Sequence, residues 1–126
     1  MGKYPCPSCG YLVFAEPCLY DICPICFWED DVTQLRFVTY SGGANKPSLY
    51  EAQKNYRAFG ASQQDLSGFV RHPNAEDQRD LGWRPVDLAT DLEMPGKGSS
   101  ATYPDDPTAL YYWRETYWRR KRHGDL

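Results

Sequence analysis

Two Cys-Pro-x-Cys pairs near the start of the chain are the residues whose types and spacing could do chemistry. Cys6/Cys9 and Cys23/Cys26 are separated by the thirteen residues 10–22. Each pair can form a tight turn that directs both thiolates at one ion, while backbone N–H groups point at the sulfurs and stabilise their negative charge. Two such turns supply four sulfurs in a tetrahedral arrangement, the ligand set that suits Zn²⁺. The sequence therefore predicts a metal site formed by Cys6, Cys9, Cys23 and Cys26.

The same cysteines leave three alternatives open. Iron can occupy four-sulfur geometry, as in a rubredoxin, and the ligand set alone does not distinguish it from zinc. Disulfides would require an oxidising compartment, but the N-terminus lacks the basic segment and apolar run of a secretory signal. A redox-active pair would need a thioredoxin-like βαβ pattern, which surrounds neither pair. We therefore expect a structural metal site, with Zn²⁺ preferred to Fe, in a cytoplasmic protein.

Length and composition limit the hydrophobic core. The chain has 126 residues, of which 41% are hydrophobic and 15% are aromatic. A core of this size stabilises a domain only modestly, so a metal that binds only the folded state would add much of the stability. No apolar run is long enough to cross a membrane, and we expect a protein with no membrane association.

The charges are unevenly distributed along the chain. Residues 114–126 contain five Lys or Arg and two Asp or Glu, whereas the whole chain has a net charge of −3. The segment thus carries +3, and the other 113 residues carry −6. This acidic body with a basic end argues against a protein that simply coats nucleic acid. It allows a partner of either net charge, acidic or basic.

The elements that must position the cysteines are a hairpin and the segments after it. Residues 10–14 begin with Gly and are β-prone, as in one arm of a zinc-ribbon hairpin. Phe27 and Trp28 follow the second pair directly, and we expect them to pack over the metal site. Residues 34–40 have partially alternating, β-prone side chains and end at a glycine-containing break.

Clear start and stop signals predict a helix over about residues 49–59. Ser48 and Glu51 form a capping box, and Gly60 provides the C-terminal stop. Gln53 falls outside the expected apolar face and is predicted to lie in solvent. The expected apolar face consists of Ala52, Tyr56 and Phe59.

A second helix is predicted over about residues 107–122. Asp106 can cap it and Pro107 is tolerated in its first turn. The simplest interpretation is that its aromatic residues close the core and its cations complement the helix dipole. The functional interpretation is an aromatic and basic face for nucleic acid or an acidic partner surface. The candidate residues of that face are Trp113, Trp118, Arg119, Arg120, Lys121 and Arg122.

An ordered string of motifs resembles the bacterial cysteine-rich CPCC family over about residues 4–61. The motifs are Tyr-Pro-Cys-Pro-Ser-Cys-Gly-Tyr at 4–11, Cys-Pro-Ile-Cys-Phe-Trp-Glu-Asp-Asp at 23–31, Gly-Gly-Ala-Asn at 42–45, Ser-Leu at 48–49, Glu-Ala-Gln at 51–53 and Phe-Gly-Ala at 59–61. The resemblance implies zinc binding and says little about activity. Ser8 departs from the pattern, since the family name expects a cysteine there, but four thiols remain for the site.

These elements predict a small α+β fold, with a zinc-ribbon-like β-hairpin core, two packed helices and long loops. Residues 1–70 form the ribbon region with its capped helix. Residues 71–126 form a loop-rich extension that ends in the aromatic and basic helix. We expect the extension to pack on the first region as one domain.

Catalytic motifs are absent from the sequence. It contains no Gly-rich phosphate loop, nucleophile elbow or His-x-x-x-His pattern, and a four-cysteine shell leaves no position for an activated water. Cys18 is a fifth thiol that could replace a ligand, react at the surface or simply fill a loop, and His72 or His123 could pair with it. We expect no enzyme and infer no small-molecule substrate.

The leading hypothesis is a non-catalytic, zinc-binding protein–protein interaction module. Its narrower form is the neutralisation of a basic partner, as an antitoxin or immunity protein does, with Glu29, Asp30 and Asp31 as candidate partner-binding residues. A solvated acidic turn is the simpler interpretation of those three residues. The alternative is a nucleic-acid-binding zinc ribbon that uses the basic segment 119–122, and a third reading is a metal-folded structural protein.

Overall fold

The computed structural model describes residues 2–95 and 102–119, and within them it has a small α+β, zinc-ribbon-like fold. No helix among these residues combines the length and the apolar composition needed to cross a bilayer. In chain order, the elements are strands β1 (Tyr4–Pro5) and β2 (Leu12–Phe14), helices α1 (Val32–Arg36) and α2 (Leu49–Phe59), a 3₁₀ helix (Gln64–Phe69), helix α3 (Leu88–Asp91) and a second 3₁₀ helix (Pro107–Leu110).

The hairpin at the start of the chain carries the first cysteine pair between its strands. β1 and β2 are antiparallel, with Tyr4 opposite Phe14 and an irregular register beside that pair. The predicted β arm at residues 10–14 is confirmed by β2. The hairpin gains a further neighbour from the later chain, since Leu12 N–H donates to the Gln78 carbonyl at 2.9 Å.

Helix α2 has the predicted bounds because its local signals are satisfied. Ser48 Oγ accepts the Glu51 N–H at 3.1 Å, as the capping box requires. Gly60 adopts φ of 77°, a conformation that favours glycine, and its N–H donates to the Tyr56 carbonyl at 2.9 Å.

The buried face of α2 differs from the prediction. Leu49, Ala52 and Gln53 are buried, at i, i+3 and i+4, whereas the ring of Phe59 is 44% exposed. The prediction was wrong for Phe59, which was expected in the core, and for Gln53, which was expected in solvent. Gln53 turns inward because its side-chain amide forms hydrogen bonds with three buried polar groups, as described below.

The β-prone segment 34–40 does not form a strand. Helix α1 begins it, because Asp31 caps the helix: its Oδ1 accepts the N–H groups of Thr33 at 2.8 Å and Gln34 at 3.3 Å. Asp31 was expected at the surface, in an acidic turn, so its role as the N-cap of α1 was not predicted.

The C-terminal segment corrects the prediction of a helix over 107–122. Asp106 does cap a helical turn, but this is a 3₁₀ helix that ends at Leu110, and turns follow as far as residue 119. The reason is packing. Tyr111, Tyr112 and Trp113 are all buried, and three consecutive side chains on an α-helix point in directions about 100° apart. An extended backbone at Tyr111 allows all three rings to reach the core.

One buried cluster joins the cysteine turns to the rest of the described chain. Within the last aromatic segment, the rings of Tyr111 and Trp113 are stacked and those of Tyr112 and Trp113 meet edge-on, both at 4.9 Å between centroids. The later segment also contacts the first cysteine turn, since Trp83 Nε1 donates to the Pro7 carbonyl at 3.2 Å. The cluster includes the four cysteines, Phe14, Trp28, Leu49, Leu110, Tyr111 and Tyr112.

Candidate metal centre

The first cysteine turn is closed by two backbone hydrogen bonds. The N–H of Gly10 donates to the Cys6 carbonyl at 2.6 Å, and the N–H of Cys6 donates to the Tyr11 carbonyl at 2.9 Å. Gly10 has φ of 85°, and a Cβ at this position would lie 2.5 Å from Cδ2 of Trp83. The turn therefore needs glycine both for its backbone conformation and for the close approach of the indole ring.

The second cysteine turn repeats the same pattern of hydrogen bonds. The N–H of Phe27 donates to the Cys23 carbonyl, and the N–H of Cys23 donates to the Trp28 carbonyl, both at 2.9 Å. Phe27 occupies the position equivalent to Gly10, with φ of 70°. A non-glycine residue in this conformation costs about 1–2 kcal/mol, which the rest of the turn must offset.

The two turns bring the four cysteine sulfurs together. The Sγ atoms of Cys6 and Cys26 are 3.5 Å apart, and those of Cys9 and Cys23 are 3.7 Å apart. All four sulfurs lie within 4.8 Å of one another, and the four residues are fully buried. Zn–S bonds of about 2.3 Å in a tetrahedron place sulfurs about 3.8 Å apart. The four cysteines are thus positioned to bind a metal ion of this size.

Burial of the four cysteines disfavours their thiolate forms unless a cation is bound beside them. It raises the pKa of the Cys6 and Cys26 thiols, because a thiolate loses its hydration there. Burial opposes ionisation of Cys23 as well, but hydrogen bonds to its sulfur outweigh it and lower the pKa of that thiol. The donors include the backbone N–H groups of Ile25 at 3.3 Å and Cys26 at 3.4 Å. A bound metal ion would supply the positive charge that the remaining thiolates need.

Apolar side chains surround the cysteines. Trp28 and Ile25 are fully buried in the same cluster, whereas Phe27 is half-buried and its ring lies 6.0 Å from that of Phe69. Ser8, the residue that departs from the family pattern, is buried and its hydroxyl has no hydrogen-bond partner among the described residues.

Cys18 lies outside the cluster of sulfurs. It is buried, with φ of 58°, and burial together with the charges of Asp30 and Asp31 raises the pKa of its thiol to about 12. The thiol is therefore protonated and weakly nucleophilic at neutral pH. His72 is exposed on the surface, and His123 lies outside the described residues.

Two residues of the acidic triplet Glu29, Asp30 and Asp31 are inside the protein. Asp30 is fully buried, and its Oδ2 accepts the Cys18 N–H at 2.7 Å. Asp31 is 5% exposed, and besides capping α1 its Oδ2 accepts the Ala44 N–H at 2.9 Å. The expectation of one exposed acidic turn is therefore wrong for Asp30 and Asp31, because their carboxylates accept hydrogen bonds from backbone N–H groups inside the protein. Partner binding stays a prediction for the partly exposed Glu29.

Asp30 leads to a prediction about the pH dependence of stability. Burial raises the pKa of its carboxyl to about 7, against the effect of the Cys18 hydrogen bond. Between the unfolded pKa of about 4 and the folded value, the folded state binds more protons, so this group lowers stability as pH rises. Asp30→Asn keeps an oxygen acceptor for Cys18 and removes the charge. We expect its stability relative to the parent protein to increase by about 2 kcal/mol between about pH 5.5 and about pH 8.

Urea unfolding of both proteins in excess zinc measures this difference, since other titrating groups cancel between them. Asp105→Asn makes the same substitution, with the same loss of charge, at an exposed aspartate and serves as the matched control. If the stability of Asp30→Asn relative to the parent stays constant over this pH range, Asp30 is ionised in the folded state throughout.

The aromatic and basic candidates do not form one surface among the described residues. Trp113 is buried, and its Nε1 donates to Asp80 at 2.8 Å, so that it belongs to the core. The partly buried ring of Trp118 lies 4.8 Å from the guanidinium carbon of Arg36. Arg119 is exposed and donates to the Leu92 carbonyl at 3.2 Å. The remaining candidates, Arg120, Lys121 and Arg122, lie outside the described residues.

Two buried glutamines, neither of which was predicted to have a structural role, hold the segments around the centre. Gln34 Nε2 lies 3.0–3.1 Å from the carbonyl oxygens of Tyr40, Asn45 and Pro47, which share its two hydrogens, and these contacts fix the loop before α2. Gln53 performs the corresponding role between α2 and the first cysteine turn. An amide has two donor hydrogens and an acceptor oxygen, which suits it for joining several backbone segments. Sequence patterns carry no signal for this role, since both residues read as ordinary surface positions.

The fold and the four-sulfur site define a small protein built around a ribbon-like metal centre. Comparison with protein families gives a match to the family described as cysteine-rich CPCC over residues 4–77, more than half of the chain. The chain belongs to this family, and the resemblance noted over residues 4–61 is confirmed. A search of curated proteins found no match.

Proposed function

We propose that this protein is a zinc-binding, non-catalytic interaction module whose metal centre holds the fold that presents a surface to another protein. The observation that carries the proposal is the closed, fully buried set of four sulfurs. Four cysteine ligands are typical of structural zinc sites, whereas catalytic zinc sites keep one position for water or substrate. A buried four-sulfur shell therefore supports stability rather than a reaction.

Zinc is preferred to iron as the resident metal because a closed tetrahedral thiolate shell suits an ion with no redox role. Elemental analysis of protein purified without added metal tests this part. The expected result is one zinc per chain and a colourless solution. A red protein containing one iron per chain would replace zinc by iron and would indicate an electron-transfer role.

Two further observations support a role without catalysis in the cytoplasm. The pKa of the Cys18 thiol, about 12, leaves little thiolate for nucleophilic chemistry at neutral pH. Four of the five cysteines are arranged to bind one ion as thiolates, and a reducing compartment keeps cysteines in the reduced state that such a site requires.

The distribution of charge favours a protein partner over nucleic acid. Arg36, Arg84 and Arg114 pair with Glu93, Asp91 and Asp80 at 2.6–2.9 Å, so their charges are matched within the protein. Outside residues 114–126 the net charge is −6, and this field repels phosphate. In the narrower form of the proposal, this acidic body neutralises a basic partner, as an antitoxin or immunity protein does.

An affinity pull-down of tagged protein from a lysate of its own host tests the proposal. The expected result is one stoichiometric protein partner that survives nuclease and moderate salt. Replacement of Arg119, Arg120, Lys121 and Arg122 by Ser should leave that partner bound. Recovery of nucleic-acid-associated proteins that disappear with nuclease and with the four replacements would instead establish the nucleic-acid alternative. A partner-free result in every growth condition would contradict the interaction role.

A further inference from the structure

The loop between the two cysteine turns carries the clearest unexplained surface of the described chain. Leu19 is 62% exposed, Tyr20 49% and Ile22 48%. Three large apolar side chains exposed within four consecutive residues are unusual in a protein with a small core, which gains by burying such groups. We call residues 16–22 together with Glu29 the loop surface.

The backbone holds the loop surface in place instead of letting it collapse onto the core. Cys18 and Tyr20 have φ of 58° and 63°, a strained conformation for residues other than glycine. The buried Asp30 fixes both: its carboxylate accepts the Cys18 N–H at 2.7 Å, and its carbonyl accepts the Tyr20 N–H at 3.2 Å. Its own N–H donates to the Asp21 carbonyl at 3.0 Å. One buried residue thus pins three positions of the loop.

Pairing with the segment after the second cysteine turn places a carboxylate beside the apolar side chains. Ile22 and Glu29 are directly opposed in an antiparallel bridge, so their side chains leave the same face. Partial burial, followed by the charge of Asp31 and with a smaller effect of Glu29, raises the pKa of the Tyr20 hydroxyl. Asp21 and Glu16 on the loop are exposed.

These carboxylates lack the cations that the rest of the protein provides. Residues 4–35 contain no Lys, Arg or His, and a divalent ion bound by the four thiolates would leave the metal centre with a net negative charge. Among the described residues, the ion pairs involve Asp77, Asp80, Asp91 and Glu93, and none involves Glu16, Asp21 or Glu29. The loop surface is therefore apolar with an uncompensated acidic rim.

We propose that the loop surface docks a segment of another protein in which Lys or Arg residues alternate with apolar side chains. The apolar side chains would cover Leu19 and Ile22, and the cations would meet the unpaired carboxylates. A loop already fixed in its binding conformation loses little entropy on association, which explains why strain is retained here. The inference rests on the proposed function and names its surface and the chemistry of its partner.

Selection from a library of short random peptides against the immobilised, zinc-loaded protein tests the inference without a known partner. The expected result is enrichment of peptides that combine Lys or Arg with Leu, Ile or aromatic residues. Leu19→Ser and Ile22→Ser should each weaken binding of a selected peptide about tenfold, since its apolar anchors lose their cover. Glu29→Gln should weaken it a few-fold and reduce its salt dependence.

Matched controls come from exposed residues elsewhere on the chain. Leu81 is 95% exposed and Glu76 is exposed, so Leu81→Ser and Glu76→Gln repeat the same chemical changes away from the loop. Both should bind the selected peptides as the parent protein does. Zinc content and the near-ultraviolet circular dichroism spectrum confirm folding of every variant.

The inference would be overturned by no enrichment, by enrichment of acidic peptides, or by selected peptides whose binding is unchanged in Leu19→Ser and Ile22→Ser. Self-association of the zinc-loaded protein that Leu19→Ser abolishes would also overturn it, by making a second copy the occupant. The pull-down separates this inference from the proposed function. If a lysate partner binds Leu19→Ser as well as the parent protein, the loop surface is not its binding site, and only this inference is contradicted. If selected peptides bind at the loop but no lysate partner is found, only the proposed function is contradicted.

Discussion

Removal of the metal is expected to unfold the protein well beyond its two cysteine turns. The apparent free energy of binding structural zinc is about 10–16 kcal/mol. The free energy of unfolding of a typical domain is about 5–15 kcal/mol, so loss of the metal can remove all of it. The four cysteines share one buried cluster with Leu110, Tyr111 and Tyr112, so loss of the ribbon exposes the core of the later segment as well. A chelator should therefore abolish the near-ultraviolet circular dichroism of the aromatic residues.

Cys23→Ser should reproduce the effect of the chelator, because a neutral hydroxyl replaces one thiolate ligand. Cys18→Ser is the matched control: Cys18 is also buried in the first part of the chain, but its sulfur is not in the metal cluster. We expect Cys18→Ser to bind one metal ion and to lose about 1 kcal/mol or less of stability. Survival of the native aromatic signal in chelator, or in Cys23→Ser, would mean that the apolar core is sufficient without metal.

Local signals explain which parts of this protein could be predicted from its sequence. The cysteine turns need only a few consecutive residues, and so does the helix from Leu49 to Phe59 with its capping box and final glycine. Each hydrogen bond that closes these elements joins neighbours in the chain. The same locality explains why the hairpin strand β2 was anticipated from residues 10–14.

The rest depends on contacts between residues far apart in the chain. The aromatic pattern after Pro107 resembles a helix, but the core requires three consecutive rings, and packing outweighs a weak helical preference. Asp30 and Asp31 look like solvent-exposed charges until the loops that they hold are in place. For the candidate site, the four ligands were therefore predictable, whereas the polar residues that position the surrounding segments were not.

Gln53→Ala is expected to destabilise the protein strongly, by about 3 kcal/mol. The Gln53 Nε2 donates to the Pro7 carbonyl at 3.0 Å and to the Tyr112 hydroxyl at 2.9 Å, and its Oε1 accepts the Val86 N–H at 2.8 Å. Alanine would leave this buried N–H without its partner and create a cavity against the first cysteine turn. Urea unfolding in excess zinc measures the loss.

Gln64→Ala is the matched control, because Gln64 is an exposed glutamine in the neighbouring 3₁₀ helix, and it should cost no more than about 0.5 kcal/mol. An equal, small cost for both variants would mean that water replaces the Gln53 amide without loss.

The combination of Gln53→Ala with Tyr112→Phe identifies where the stability of Gln53 comes from. The Tyr112 hydroxyl accepts from Gln53 and donates to the Arg84 carbonyl at 2.5 Å, so the two side chains form one chain of hydrogen bonds. If they act as a unit, the double variant should lose about 1 kcal/mol less than the sum of the single losses. Strict additivity would assign the effect of Gln53 to Pro7 and Val86 alone. In that case α2 would be fastened to the first cysteine turn and to residue 86 independently of the C-terminal aromatic segment.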